Sequence, residues 1–82
     1  MERIQVLNKL QEIVRDVLDN EEVVLQEGTR MEDVEEWDSV VHMTVIAMLE
    51  NELGVQFDIE KIANAKTVKA MIDMVVENKF IL

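Results

Sequence analysis

Apolar residues recur along this chain at steps of three and four rather than two. In the first segment Leu7, Leu10, Val14, Val17 and Leu18 follow that step, which places them on one face of a helix. Asp19 and Asn20 mark its expected end. Residues 19–38 then read as a long connection that carries Gly28 but also Val23, Leu25, Met31, Val34 and Trp37. A connection of this length in a compact domain calls for a reason. Met31, Val34 and Trp37, three apart, can pin it to the core through one short turn.

A second helix is expected over 39–53 with Asp38 as its N-cap. An Asp oxygen there accepts from an otherwise unpaired amide, and its charge suits the positive helix end. Gly54 supplies a left-handed stop. Fifteen residues make a rod of roughly 22 Å. Asp58 is placed to cap a short helix around 59–64, and Thr67 to cap a last one with Val68, Met71, Ile72, Val75 and Val76 facing inward. Strand-like alternation is poor. The fold class is therefore all-α: a small four-helix bundle of three main helices plus one short helix, with a long loop between helices one and two.

The second helix is richer in apolar residues than one buried stripe requires. Val45, Ile46, Leu49 and Leu53 make a core-facing set, while Val40, Met43 and Ala47 make another, rotated from the first and opening beside Ser39. Two readings follow. Both sets are buried in one broad face, or the second is an exposed strip for a partner, rimmed by Glu35, Glu36 and Glu50.

Length turns this pattern into a single small domain spanning 1–82, since 82 residues leave no room for a second core or a deep enzyme cleft. A chain of this size buries only about 60–65% of its unfolded surface. Cysteine is absent, which removes disulfides, zinc–thiolate sites and a thiol nucleophile. The opening MERIQVLNKL lacks the apolar core of a signal peptide. The longest apolar run, Val45 to Leu49, is too short to cross a bilayer. A cytoplasmic location without membrane insertion is expected.

Charge narrows the partners. Eighteen acids against eight bases give a formal net charge of −10. Nucleic acid and anionic membranes select clustered Lys and Arg and are not expected. From Met31 to Glu60 there are nine acids and no Lys or Arg. Such a run is either a solvated face or a field that steers basic partners.

The chemistry concentrates in EEWDSVVHM, residues 35–43, which hold the only serine, Ser39, and the only histidine, His42. A Ser–His nucleophile pair would need an orienting third group and an oxyanion site, and neither is evident. No catalytic residue is expected, and His42 reads as structural. The acids at 32–38 lack the central Gly and twelfth-position Glu of a calcium loop, so no dedicated metal site is expected. Ser39 reads either as an ordinary helix-start residue or as a modification site. With Asp38 filling the cap role, its hydroxyl is expected to point outward, where an added phosphodiester would meet the positive helix end.

Taken together the chain resembles an acyl carrier protein. Asp38-Ser39-Val40 resembles the Asp-Ser-Leu motif whose serine carries 4′-phosphopantetheine. TRMEDVEEWDSV (29–40), LENELGV (49–55) and AKTVKAMIDMV (65–75) resemble the approach to that serine, the end of the second helix and the start of the fourth. The resemblance runs from about residue 3 to near Lys79. It implies that a phosphopantetheinyl transferase attaches the arm of coenzyme A to Ser39 Oγ, flanked by Trp37, Asp38 and Val40. It implies a carrier, not an enzyme, expected to be monomeric, that delivers acyl thioesters to transferring, ligase or synthase enzymes with basic docking patches. Docking would involve Glu35, Glu36, Val40, Val41, Met43, Thr44, Ala47, Glu50 and Glu60. Val45, Ile46, Leu49, Ile62, Val68 and Ile72 would line an interior able to shelter the cargo. Carriers of fatty acid synthesis have Leu after the serine and often acids two and five positions beyond it. Here these positions hold Val40, Val41 and Thr44. A specialised lipid, polyketide-like or peptide pathway is therefore expected. The alternatives are a peptidyl or aminoacyl carrier and an unmodified interaction module. Phe80-Ile81-Leu82 has no assigned role.

Overall fold

The computed structural model describes residues 2–77, apart from the side chain of residue 59. Four α-helices and one short 3₁₀ turn follow in order: α1 Arg3–Leu18, the turn Met31–Asp33, α2 Ser39–Leu53, α3 Ile59–Ala63 and α4 Val68–Glu77. The all-α bundle is as the sequence predicts. The expected helix end near Lys79 and the tail 80–82 lie outside the described residues.

Local chemistry fixes the helix ends. α1 starts with a capping box, in which the Glu2 side chain meets the backbone of Gln5 and the Gln5 side chain meets the backbone of Glu2. It ends at Asp19 in the left-handed conformation, φ 51°. Gly54, φ 65°, ends α2 in the same way. Asp58 accepts from the amides of Glu60 and Lys61 at the start of α3. Asn64 is the C-cap of α3 rather than its last residue.

The long connection is tied down by the backbone of α4. Val68 N–H donates to the Thr29 carbonyl at 2.9 Å and Lys69 N–H to that of Glu27 at 2.9 Å. Thr67 Oγ1 accepts from Ala70 N–H at 3.1 Å, and Thr67 O accepts from Met71 N–H. Of the amides that a helix start leaves open, the loop closes those of Val68 and Lys69 and Thr67 those of Ala70 and Met71. In return, Met31 N–H donates to Lys66 O at 3.1 Å. Arg15 Nε to Val23 O at 2.7 Å and Leu25 N–H to Gln11 Oε1 at 2.8 Å fasten its first half to α1. Through the Glu27 and Thr29 carbonyls the loop caps a helix about 40 residues further along the chain.

The core joins all four helices through Val6, Leu10, Ile13, Val14, Val45, Ile46, Leu49, Ile62, Val68, Met71 and Ile72, all at most 1% exposed. Two expectations need correction. On α1 the buried stripe is Val6, Leu10, Ile13 and Val14, while Leu7, Val17 and Leu18 are only partly buried against it. The step of three and four holds and Leu10 and Val14 belong to both sets, but the buried face extends toward Val6 and Ile13; which side of α1 meets its neighbours depends on packing between segments, which periodicity does not encode. On α4, Val76 faces outward at 38% exposure, not inward. It follows the buried Val75, and a 100° step carries it off the seam.

Candidate functional site

The site is built at the N-terminus of α2. Asp38 sits in extended backbone, and its Oδ1 accepts the Val41 amide at 2.8 Å. Its carbonyl accepts the His42 amide at 2.9 Å, the first turn of the helix. Among the described residues the amides of Ser39 and Val40 have no acceptor, so they point the positive helix end at solvent. Ser39 is exposed, and among the described residues its hydroxyl has no hydrogen-bond partner.

The approach to Asp38 is a tight turn. Trp37 N–H donates to Val34 O at 3.2 Å, and Glu36 inside it adopts φ 70°, a left-handed conformation uncommon for a residue with a Cβ. The turn drives the Trp37 side chain inward, to 9% exposure.

There Trp37 meets His42. Trp37 Nε1–H donates to His42 Nδ1 at 3.2 Å, with the rings tilted by 41°. Nδ1 is therefore the acceptor and Nε2 carries the proton, which it donates to the Ile62 carbonyl at 3.0 Å. The imidazole is a neutral bridge from the pre-helix turn through α2 to α3. Its buried polar atoms are satisfied, and Ser39 is not among its partners, so no nucleophile–base pair is formed. Among the described residues no cluster of three or more His, Asp or Glu could hold a metal ion.

Beside Ser39 lies an open cleft of about 500 Å³. Met31, Trp37, Met43, Ala63 and Ala65 give it apolar walls, His42 lies along it, and Arg30, Glu32, Asp38 and Lys66 stand at its polar parts. Arg30 is ion-paired with Glu32. Sequence reasoning missed Arg30, Ala63, Ala65 and Lys66 as neighbours of the serine. The signal that exists is indirect: the step Met31–Val34–Trp37 brings the loop to the core, but the backbone bonds that join 27–31 to 66–69 are what place Arg30 and Lys66 side by side at the cleft.

The residues expected to dock partners divide. Val40, Met43, Thr44 and Ala47 are exposed on one side of α2, with Val40 at 73% and Met43 at 41%. Thr44 Oγ1–H donates back to Val40 O at 2.9 Å. Glu35, Glu36 and Glu60 are exposed. Val41 is half-buried against the core. Glu50 is also half-buried, and its Oε2 accepts the Phe57 amide at 2.9 Å, so it braces the 54–58 turn. Val45, Ile46, Leu49, Ile62, Val68 and Ile72 are all in the closed core. None of them lines the cleft beside Ser39.

An open serine hydroxyl, two free amides at a positive helix end and an adjoining apolar cleft suit a tethered anionic ester with a slender arm. Comparison with known proteins agrees. A family model described as "Phosphopantetheine attachment site" matches residues 8–75. The solution NMR structure of a holo acyl carrier protein from Geobacter metallireducens superposes with a TM-score of 0.79 at 32% identity, covering 89% of this chain and 84% of that one. No curated protein matches the chain.

Proposed function

Because the chain belongs to the acyl carrier protein family, whose prosthetic group is a covalently attached 4′-phosphopantetheine, we propose that Ser39 Oγ is its attachment point and that the chain carries acyl groups for a specialised pathway. The observation that carries the assignment is the exposed Ser39 hydroxyl beside two unpaired helix-start amides. In the attachment step Oγ bonds to the phosphate next to pantetheine, the pyrophosphate bond of coenzyme A breaks, 3′,5′-ADP leaves, and the hydroxyl proton passes to a phosphopantetheinyl transferase. The arm supplies a terminal thiol that holds acyl groups as thioesters. The protein's own part is binding and presentation. Asp38 fixes the start of α2 without consuming the Ser39 and Val40 amides, which then favour a phosphodiester at that position. As a carrier the protein is not itself an enzyme. Residues 1–82 serve as one carrier domain.

Partner enzymes dock on the exposed Val40, Met43, Thr44 and Ala47 strip, guided by Glu35, Glu36 and Glu60. An apolar centre with an acidic rim suits a basic enzyme surface. Glu50 is held in a turn and contributes less. The absence of acids at Val41 and Thr44 supports a pathway other than ordinary fatty acid synthesis. No described helix is long and apolar enough to cross a membrane.

Intact mass after incubation with coenzyme A and a broad-specificity phosphopantetheinyl transferase tests the reading. One phosphopantetheine is expected on the wild type and none on Ser39→Ala. No gain on the wild type, with a known carrier modified in parallel, would sink it. A gain on Ser39→Ala would move the attachment point elsewhere.

A further inference from the structure

One buried side chain, His42, lies between the cleft beside Ser39 and the closed core. The cleft is lined by Ser39 and Met43 on α2, by Ala63 at the end of α3 and by Ala65 just after it. Val45, Leu49 and Ile62 lie closed within the core at 0% exposure. His42 comes between these two regions. It lies along the cleft, yet it is itself only 9% exposed. Its Nε2–H is bonded across the α2–α3 seam to Ile62 O at 3.0 Å, and its Nδ1 is held by Trp37 at 3.2 Å.

We infer that His42 is a specificity-determining latch that closes the α2–α3 seam, so that cargo tethered at Ser39 stays in the surface cleft and does not enter the core. The inference rests on the carrier reading above and sharpens it to a cargo class: short or polar acyl groups that need no apolar tunnel. The physical basis is the double bond of the imidazole. A chain passing between α2 and α3 must displace a ring whose two nitrogens are both paired. That strands the Ile62 carbonyl and the Trp37 indole N–H in an apolar setting, where an unpaired polar group is costly. An apolar side chain at position 42 would shift aside with no such loss.

The test uses the full chain loaded directly from acyl-coenzyme A by a phosphopantetheinyl transferase, with acetyl and octanoyl cargo. Loading is read by intact mass and cargo position by methyl NMR shifts. In the wild type, octanoyl should shift the Met31, Met43, Ala63 and Ala65 methyls, and shift those of Val45, Leu49 and Ile72 no more than acetyl does. In His42→Leu, octanoyl should shift the three core methyls and raise the melting temperature above that of the acetyl form. Trp37→Phe, which removes only one of the two bonds, gives a second opening of the latch if His42→Leu does not fold, and should show the same change in smaller measure. Core shifts in the octanoyl wild type equal to those in the variants would overturn the latch. So would variants whose core methyls stay silent. Failure to load any cargo appears in the mass alone, and would overturn the carrier reading and the latch with it.

Discussion

At the scale of single residues, the start of α2 depends on a few local contacts. Asp38 holds the Val41 amide. Asp38→Ala should cost about 1 kcal/mol, while Asp38→Asn, also a good cap, should stay within a few tenths. Urea melts of the apo protein would measure both, and equal losses would show that charge rather than hydrogen bonding matters there. Ser39→Ala should leave stability within about 0.5 kcal/mol, since the side chain is exposed and unbonded. The cap was legible in the sequence because an N-cap is a local device, set by residues at most three apart. Glu36 was not legible. Its left-handed φ of 70° is imposed by the buried Trp37 and the bond to Val34 rather than by its own preference.

At the scale of elements, α2 carries two apolar faces that meet different fates. The core face is costly to change: Leu49→Ala should lose about 2–5 kcal/mol by chemical denaturation. That loss is a large share of the whole for a domain of 82 residues. The outer face is cheap. Thr44→Glu gives up one exposed hydroxyl bond to Val40 O and should change stability by no more than about 0.5 kcal/mol. It should also improve loading by a malonyl transferase of ordinary fatty acid synthesis; unchanged loading would remove Thr44 from partner choice. Val41→Glu is not an equivalent test, because Val41 packs against the core. Periodicity exposed the excess of apolar residues on α2, yet it left open whether the second face was covered. That depended on where α1, α3 and α4 lie, a question of packing that no single segment answers. The same limit explains the shifted stripe on α1 and the outward Val76.

At the scale of the whole molecule, one cationic side chain joins three distant segments. Arg3 on α1 makes paired bonds to Glu27 in the loop, at 2.5 and 3.1 Å, and a third to Asp73 on α4 at 2.7 Å. Bonding to Arg3 holds the Glu27 carboxyl below its ordinary value of 4.5. Bonding to Lys69 and then to Arg3 holds that of Asp73 below 3.8. The folded state thus binds fewer protons at these groups than the unfolded chain does, so their contribution is complete above the ordinary values and is lost as pH falls through the depressed ones. Arg3 itself stays charged throughout. All three side chains are 31–39% exposed, so screening keeps the effect modest. Neutralising other acids also relieves the self-repulsion of a chain with net charge −10, which acts in the opposite direction. Comparison with Arg3→Gln separates the two. The wild-type advantage in melting temperature should be present at pH 7 and shrink below about pH 4.5. An advantage that is flat with pH would mean that the cluster adds nothing through charge.

Residues a few positions apart already encode the four helices, the Asp38, Gly54 and Asp58 caps, the fold class and the serine at the head of α2. The motifs around Ser39 also carried the family resemblance. Packing between segments settles which apolar face of α2 stays open, that Glu50 braces a turn, and that the loop 19–38 caps α4. It alone brought Trp37, His42 and the Ile62 carbonyl into one bonded bridge beside a cleft. These features join residues 5 to about 40 positions apart. Their energies come from helix packing and backbone closure between segments, and neither leaves a periodic mark along the chain.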